Sequence, residues 1–315
     1  MNTPVKLGAY ALGLLAVFAG ATGVGAAVGP VGPPAASHDT HREPARDTTA
    51  PGGAANAHLP GGLQVSQDGY TLDVDDSLPA GAATRVSFRV LGPDGRPVTA
   101  YDTAHEEDLH LIAVRRDLSG YQHVHPALGS AGIWSTPLDL TAGAWRLFAD
   151  FDPAGSNAAL VLGADVAVAG HYAPQPLPAA SRTAKVDGYT VTLDGQLTPG
   201  AESPLTLSVS RAGQPVTDLQ PYLGAYGHLV ALRDGDLAYL HVHPAGEPGD
   251  SATAPGPDVV FYATAPSAGD YRLFLDFRHG DVVRTAEFTV RAGPQAAATA
   301  HPPTTAHPTA TSHGH

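Results

Sequence analysis

Cysteine is absent from the 315 residues, and the single methionine is the first residue. The first absence excludes disulfides, thiolate metal sites and a thiol nucleophile. The two together exclude a thioether site for reduced copper and a His₂Cys blue-copper centre. Lysine is almost missing: Lys6 and Lys185 are the only two, and the formal net charge is −13. A chain so short of positive charge is not expected to hold nucleic acid or an anionic membrane surface. Helical periodicity is missing outside the N-terminus. So are a phosphate loop, an H-E-x-x-H pair and a nucleophile elbow, and the sequence is not read as an enzyme.

Gly and Pro, by contrast, are abundant, at 36 and 29 residues. They punctuate short apolar or alternating runs, which is the pattern of strands separated by turns. Val86, Phe88 and Val90 alternate with Arg85, Ser87 and Arg89, so one face of that run is expected in a core.

One uncharged apolar run, from Leu7 to about Gly29, follows Lys6. Roughly 20 apolar residues can span a bilayer, and Val24-Gly25-Ala26-Ala27 offers small residues suited to cleavage. Residues 1–29 therefore read as a signal peptide or a membrane anchor. Either reading places the rest of the chain outside the cytoplasm, membrane-anchored or secreted. Residues 30–62 read as a disordered spacer, 63–169 as a first folded unit, 170–183 as a Pro-rich linker and 184–292 as a second unit. The remainder, 293–315, reads as a disordered tail carrying His301, His307, His313 and His315.

The two units are copies. Asp68-Gly69-Tyr70-Thr71 recurs as Asp187-Gly188-Tyr189-Thr190, and Trp145-Arg146-Leu147-Phe148 as Tyr271-Arg272-Leu273-Phe274. Short strands at this spacing predict an all-β fold of two tandem immunoglobulin-like sandwiches.

A histidine trio is copied with them. His110 precedes His123-Val124-His125-Pro126 by the same interval at which His228 precedes His241-Val242-His243-Pro244. In the second unit Asp234-Gly235 suits a two-residue hairpin turn. That turn would pair Val230 with Tyr239 and His228 with His241, with His243 on the same face. The same register in the first unit pairs His110 with His123. Two metal sites are thus expected, His110, His123 and His125 in one unit and His228, His241 and His243 in the other. Imidazole sets without a soft donor suit copper(II) or zinc(II). Asp150 and Asp276 are repeated acidic candidates for a further ligand, although a pair between Asp276 and Arg272 is favoured. His105, Glu106, Glu107 and Asp108 occur only in the first unit and read as a solvated loop.

A second reading stays open. The histidine-bearing faces also carry Val230, Leu232, Leu237 and Tyr239, so the alternative is that the imidazoles are packing residues in a non-metal interaction module. In that case the two histidine faces would form a pseudo-symmetric contact between the units. The tail histidines add a flexible tract able to gather metal.

The strings Gly227-His228-Leu229-Val230-Ala231-Leu232 and Leu240-His241-Val242-His243-Pro244, followed by Tyr271-Arg272-Leu273-Phe274, resemble a family of exported actinobacterial proteins, some of them described as heavy-metal-binding. The architecture also resembles periplasmic copper-binding β-sandwiches. The resemblance implies a metal site at His228, His241 and His243 and a role in metal storage, delivery or tolerance. No activity is implied by it.

Overall fold

The computed structural model describes residues 59–156 and 159–293. It consists of two β-sandwiches, antiparallel except where Ser77–Leu78 pairs in parallel with Leu160–Val168. Among the described residues no helix is long and apolar enough to cross a membrane. The apolar run at 7–29, the spacer up to residue 58 and the tail from residue 294 lie outside them.

In the first sandwich one sheet runs in the order Ser66–Gln67, Tyr70–Val74, Gly81–Leu91, Trp134–Leu140, Ala127–Leu128. The facing sheet runs Ser77–Leu78, Leu160–Val168, Gly143–Pro153, Leu109–Arg115, Gln122–Val124, and Tyr101–Asp102 pairs with the C-terminal end of Gly143–Pro153. The alternating run behaves as its sequence requires: Val86, Phe88 and Val90 are buried against Leu109, Leu111, Trp145 and Leu147 from the other sheet. In the second sandwich Thr183–Val186, Tyr189–Gly195, Glu202–Arg211, Asp258–Thr264 and His241–Pro244 make one sheet. His228–Arg233, Gly269–His279 and Val282–Ala292 make the other. Asp68-Gly69, Asp187-Gly188 and Ala212-Gly213 form two-residue hairpin turns with positive φ at both positions, the geometry that matches strand twist.

Asp234-Gly235 does not make such a turn. The Asp234 amide donates to the Asp270 carbonyl at 2.8 Å, so the strand keeps its neighbour for one residue more. The reversal then closes between Arg233 and Ala238, with Leu237 at φ 62°. Leu232, rather than Val230, lies opposite Tyr239. The first unit has the same offset, with Ile112 rather than His110 opposite His123. A shift of two residues keeps His110 and His123 on the expected face of the first unit.

The two sandwiches meet through those faces. Ile112, Val114, Leu118 and Phe148 of the first pack against Val230, Leu232, Leu237 and Phe274 of the second, all eight buried. The contact is nearly two-fold. Tyr121 stacks on Phe274 with ring centroids 4.0 Å apart, while Tyr239 tilts on Phe148 at 5.7 Å.

Two segments that the sequence places outside the folded units are part of this arrangement. Residues 59–62, expected in the disordered spacer, lie across the junction. The Gly62 amide donates to Val161 of the first unit, and Gly61 accepts from the Tyr239 amide of the second. Gly62 has φ +72°, and a Cβ there would come within 2.4 Å of the Phe148 ring, so only glycine fits. The linker is also docked. Arg115 donates to the Ala173 carbonyl, the Gln175 amide donates to Asp117, and Leu177 packs against the interface cluster.

Candidate metal centre

The strand Leu109–Arg115 is apolar on both faces because both are covered. Leu109, Leu111 and Ala113 point into the first core, and Ile112 and Val114 into the junction. His110 opens the junction-facing row and is 4% exposed. Its neighbour Gln122–Val124 brings in His123, whose side chain is 2% exposed, and His125 follows.

One ring nitrogen from each of His110, His123 and His125 lies within 4.8 Å of the other two. The tautomers follow from the partners of the remaining nitrogens. His110 Nε2 faces the Ala104 carbonyl at 3.1 Å, which only accepts, so Nε2 donates. His123 Nδ1 donates to Asp276 Oδ2 at 2.9 Å. His125 Nδ1 lies 3.5 Å from Glu107 Oε1, and its Nε2 is buried without a partner. Wherever these rings are neutral, the other nitrogens hold lone pairs. Two of these, His110 Nδ1 and His123 Nε2, are 3.1 Å apart. Facing lone pairs need a proton or a cation between them. Nitrogens on one ion at roughly 2.0–2.1 Å sit about 2.9–3.4 Å apart, so the spacing fits a shared metal.

The electrostatics keep the donors available. Burial, reinforced by His123, lowers His110 to about 3, despite the bond to Ala104. Burial, again with His123, lowers His125 to about 4. Burial and the surrounding imidazoles hold His228 well below the usual histidine range. Asp150 moves the other way, to about 6, because desolvation outweighs the opposing pull of His123 and the Tyr239 hydrogen bond.

The second expected trio does not assemble. His228 comes to the first trio instead, its ring 4.8 Å from His123 and 5.5 Å from His110. His241 is exposed, and His243 stacks on Tyr262 at 5.4 Å and lies 3.8 Å from Glu202. The cause is a change of sheet. His123 still pairs with the strand of His110, whereas the strand of His241 and His243 has crossed to pair with Asp258–Thr264.

The acidic candidates also differ from expectation. Asp276 does not pair with Arg272, whose guanidinium goes to Glu287 and Thr289. Asp276 instead accepts from Thr285 at 2.6 Å and from His123, and the Tyr121 hydroxyl lies 3.5 Å away. Asp150 accepts from Tyr239, the counterpart bond across the junction. Both carboxylates thus hold partners around the trio. His105 and Glu107, read as loop residues, belong to the cluster. The turn His105-Glu106 has φ 50° and 68° and is closed by the Ala104–Glu107 bridge. It sets the exposed His105 ring 6.2 Å from His110 and 5.8 Å from His228. The matching turn in the second unit is Leu223-Gly224. That difference between otherwise parallel copies was the available signal. A cavity of about 450 Å³ adjoins the cluster, lined by His105, His110, His228, His241 and Asp150 among others.

A family model described as a domain of unknown function, DUF8832, matches residues 64–168 and 184–294, one match in each sandwich. Among curated proteins none matches the sequence. Among solved structures, a Salmonella alpha-2-macroglobulin variant is 18% identical with a TM-score of 0.24, covering 74% of this chain and 15% of its own. A chimeric titin Z1Z2 tandem is 13% identical at 0.18, covering 71% and 96%. The surface layer protein SbsC, domains 4–9, is 11% identical at 0.21, covering 71% and 31%. This chain spans only that 15% of the macroglobulin, and likeness at these scores supports no functional argument.

Proposed function

The chain belongs to the DUF8832 family through two copies of that domain, and from there we propose that it binds one divalent transition-metal ion at His110, His123 and His125. The observation behind this reading is the convergence of three imidazole ring nitrogens, two of them 3.1 Å apart. Each ring's other nitrogen faces an oxygen of Ala104, Asp276 or Glu107. Metal-bound histidines are oriented in the same way, through the second nitrogen.

The donors are borderline nitrogens with no sulfur available, which suits copper(II) or zinc(II). If the apolar run at 7–29 exports or anchors the chain, the ion is held outside the cytoplasm, in storage, delivery or tolerance of the metal. The function is binding rather than catalysis.

A second reading has its own support. His123 joins His110 of its own unit to Asp276 of the other. A proton shared between the two rings would make this chain of hydrogen bonds a staple across the junction, with no metal involved.

Calorimetric titration of Cu(II) and Zn(II) separates the two. The full chain is used, with His301→Ala, His307→Ala, His313→Ala and His315→Ala to remove the tail tract. We expect one ion per chain, lost in His123→Ala and in His125→Ala and kept in His241→Ala with His243→Ala. Absence of binding by a folded protein, with a large stability loss in His123→Ala, would establish the staple instead.

A further inference from the structure

We propose that His228 is the fourth imidazole of this metal, so that a single all-nitrogen site is built from both sandwiches. The inference rests on the metal-binding reading above and adds the ligand that completes it.

The neighbouring carboxylates are engaged elsewhere. Asp276 holds Thr285 and His123, Asp150 holds Tyr239, and Glu107 faces the outer nitrogen of His125. His228 differs from all of them. Its ring makes no hydrogen bond to any described residue, yet it lies nearly parallel to His110, at 12°, and closer still to His123. His105, the other nearby imidazole, is more distant from the trio and exposed.

The backbone fixes where His228 stands. It begins the strand His228–Arg233 and lies opposite Asp276 in the ladder, the residue that orients His123. One strand pair of the second unit therefore places both the fourth ring and the outer partner of a first-unit ligand. The first three nitrogens converge without His228. Closing the remaining gap takes a rotation of its side chain beside the cavity that it shares with His110. Four imidazoles in one set favour Cu(II), which accepts a tetragonal nitrogen field.

The test is electron paramagnetic resonance of the Cu(II)-loaded full chain, with the tail histidines replaced as above. Superhyperfine coupling to four nitrogens is expected in this parent protein, and coupling to three in His228→Ala, with the affinity falling at least about tenfold. His228→Gln, which preserves volume and polarity, serves as the folding control and should show the same loss of one nitrogen. A three-nitrogen spectrum in the parent that is unchanged in both variants would overturn the proposal while leaving the trio standing. Wild-type binding in His125→Ala would overturn the trio itself, and the fourth ligand with it.

Discussion

At the scale of single residues, the unusual property is the burial of several neutral imidazoles together. His110 and His125 sit at about 3 and about 4 in the folded chain, and His228 is also well below 6.5. Below pH 6.5 the unfolded chain takes up protons at these three positions that the folded chain refuses. Stability therefore falls as pH drops through that value. Asp150 works in the opposite sense. Raised from 3.8 to about 6, it keeps a proton in the folded state that the unfolded state has released, which favours folding on acidification. Three groups against one leave the histidines dominant. The metal-free protein should lose stability between pH 6.5 and about 4, read as a falling urea midpoint. A midpoint that is flat or rises across that interval would contradict the neutral cluster. The six histidines and the common face of the first trio were legible in the sequence, because a period of two assigns faces without a partner strand; the split of the second trio between two sheets was not. That His228 joins the first trio was not, because it depends on how one sandwich docks on the other.

At the scale of elements, the hairpins show where local chemistry decides and where it does not. Ala212-Gly213 takes positive φ at both positions, 48° and 77°, and alanine is a poor residue for the first of them. Ala212→Asn keeps the turn and should stabilise by about 0.5–1 kcal/mol, measured by denaturant melts. Asp187-Gly188 obeys the same rule and was readable directly. Asp234-Gly235 carries the same signal and fails, because the Asp270 carbonyl captures the Asp234 amide. A long-range backbone bond thus overrides a local preference and lengthens the loop. The crossing of His241–Pro244 to the other sheet is of the same kind. Val242 packs against the second core and Gly61 takes the Tyr239 amide, and neither contact has a local marker. The charge run His105–Asp108 is solvated as its composition suggests, with His105, Glu106 and Asp108 exposed; what the sequence does not carry is that its short, closed turn faces a partner sandwich.

At the scale of the whole molecule, the doubly apolar strands His228–Arg233 and Leu109–Arg115 already required covers on both sides. Each turns out to be part of the other's cover. Phe274 is fully buried in the junction beneath Tyr121, so Phe274→Ala should cost about 3–5 kcal/mol in a denaturant melt. A loss below about 1 kcal/mol would mean that the sandwiches hardly support each other.

The junction pairs like with like: Tyr121 reaches Phe274 and Asp276, and Tyr239 reaches Phe148 and Asp150. Between separate molecules this would be an isologous dimer, whose defining property is closure. Joined in one chain, it is a dimer that has already formed, with each copy of the sticky surface satisfied by its sibling. Among the described residues both copies of this surface are already covered, and light scattering should give the mass of one chain at concentrations where an unpaired sandwich would self-associate.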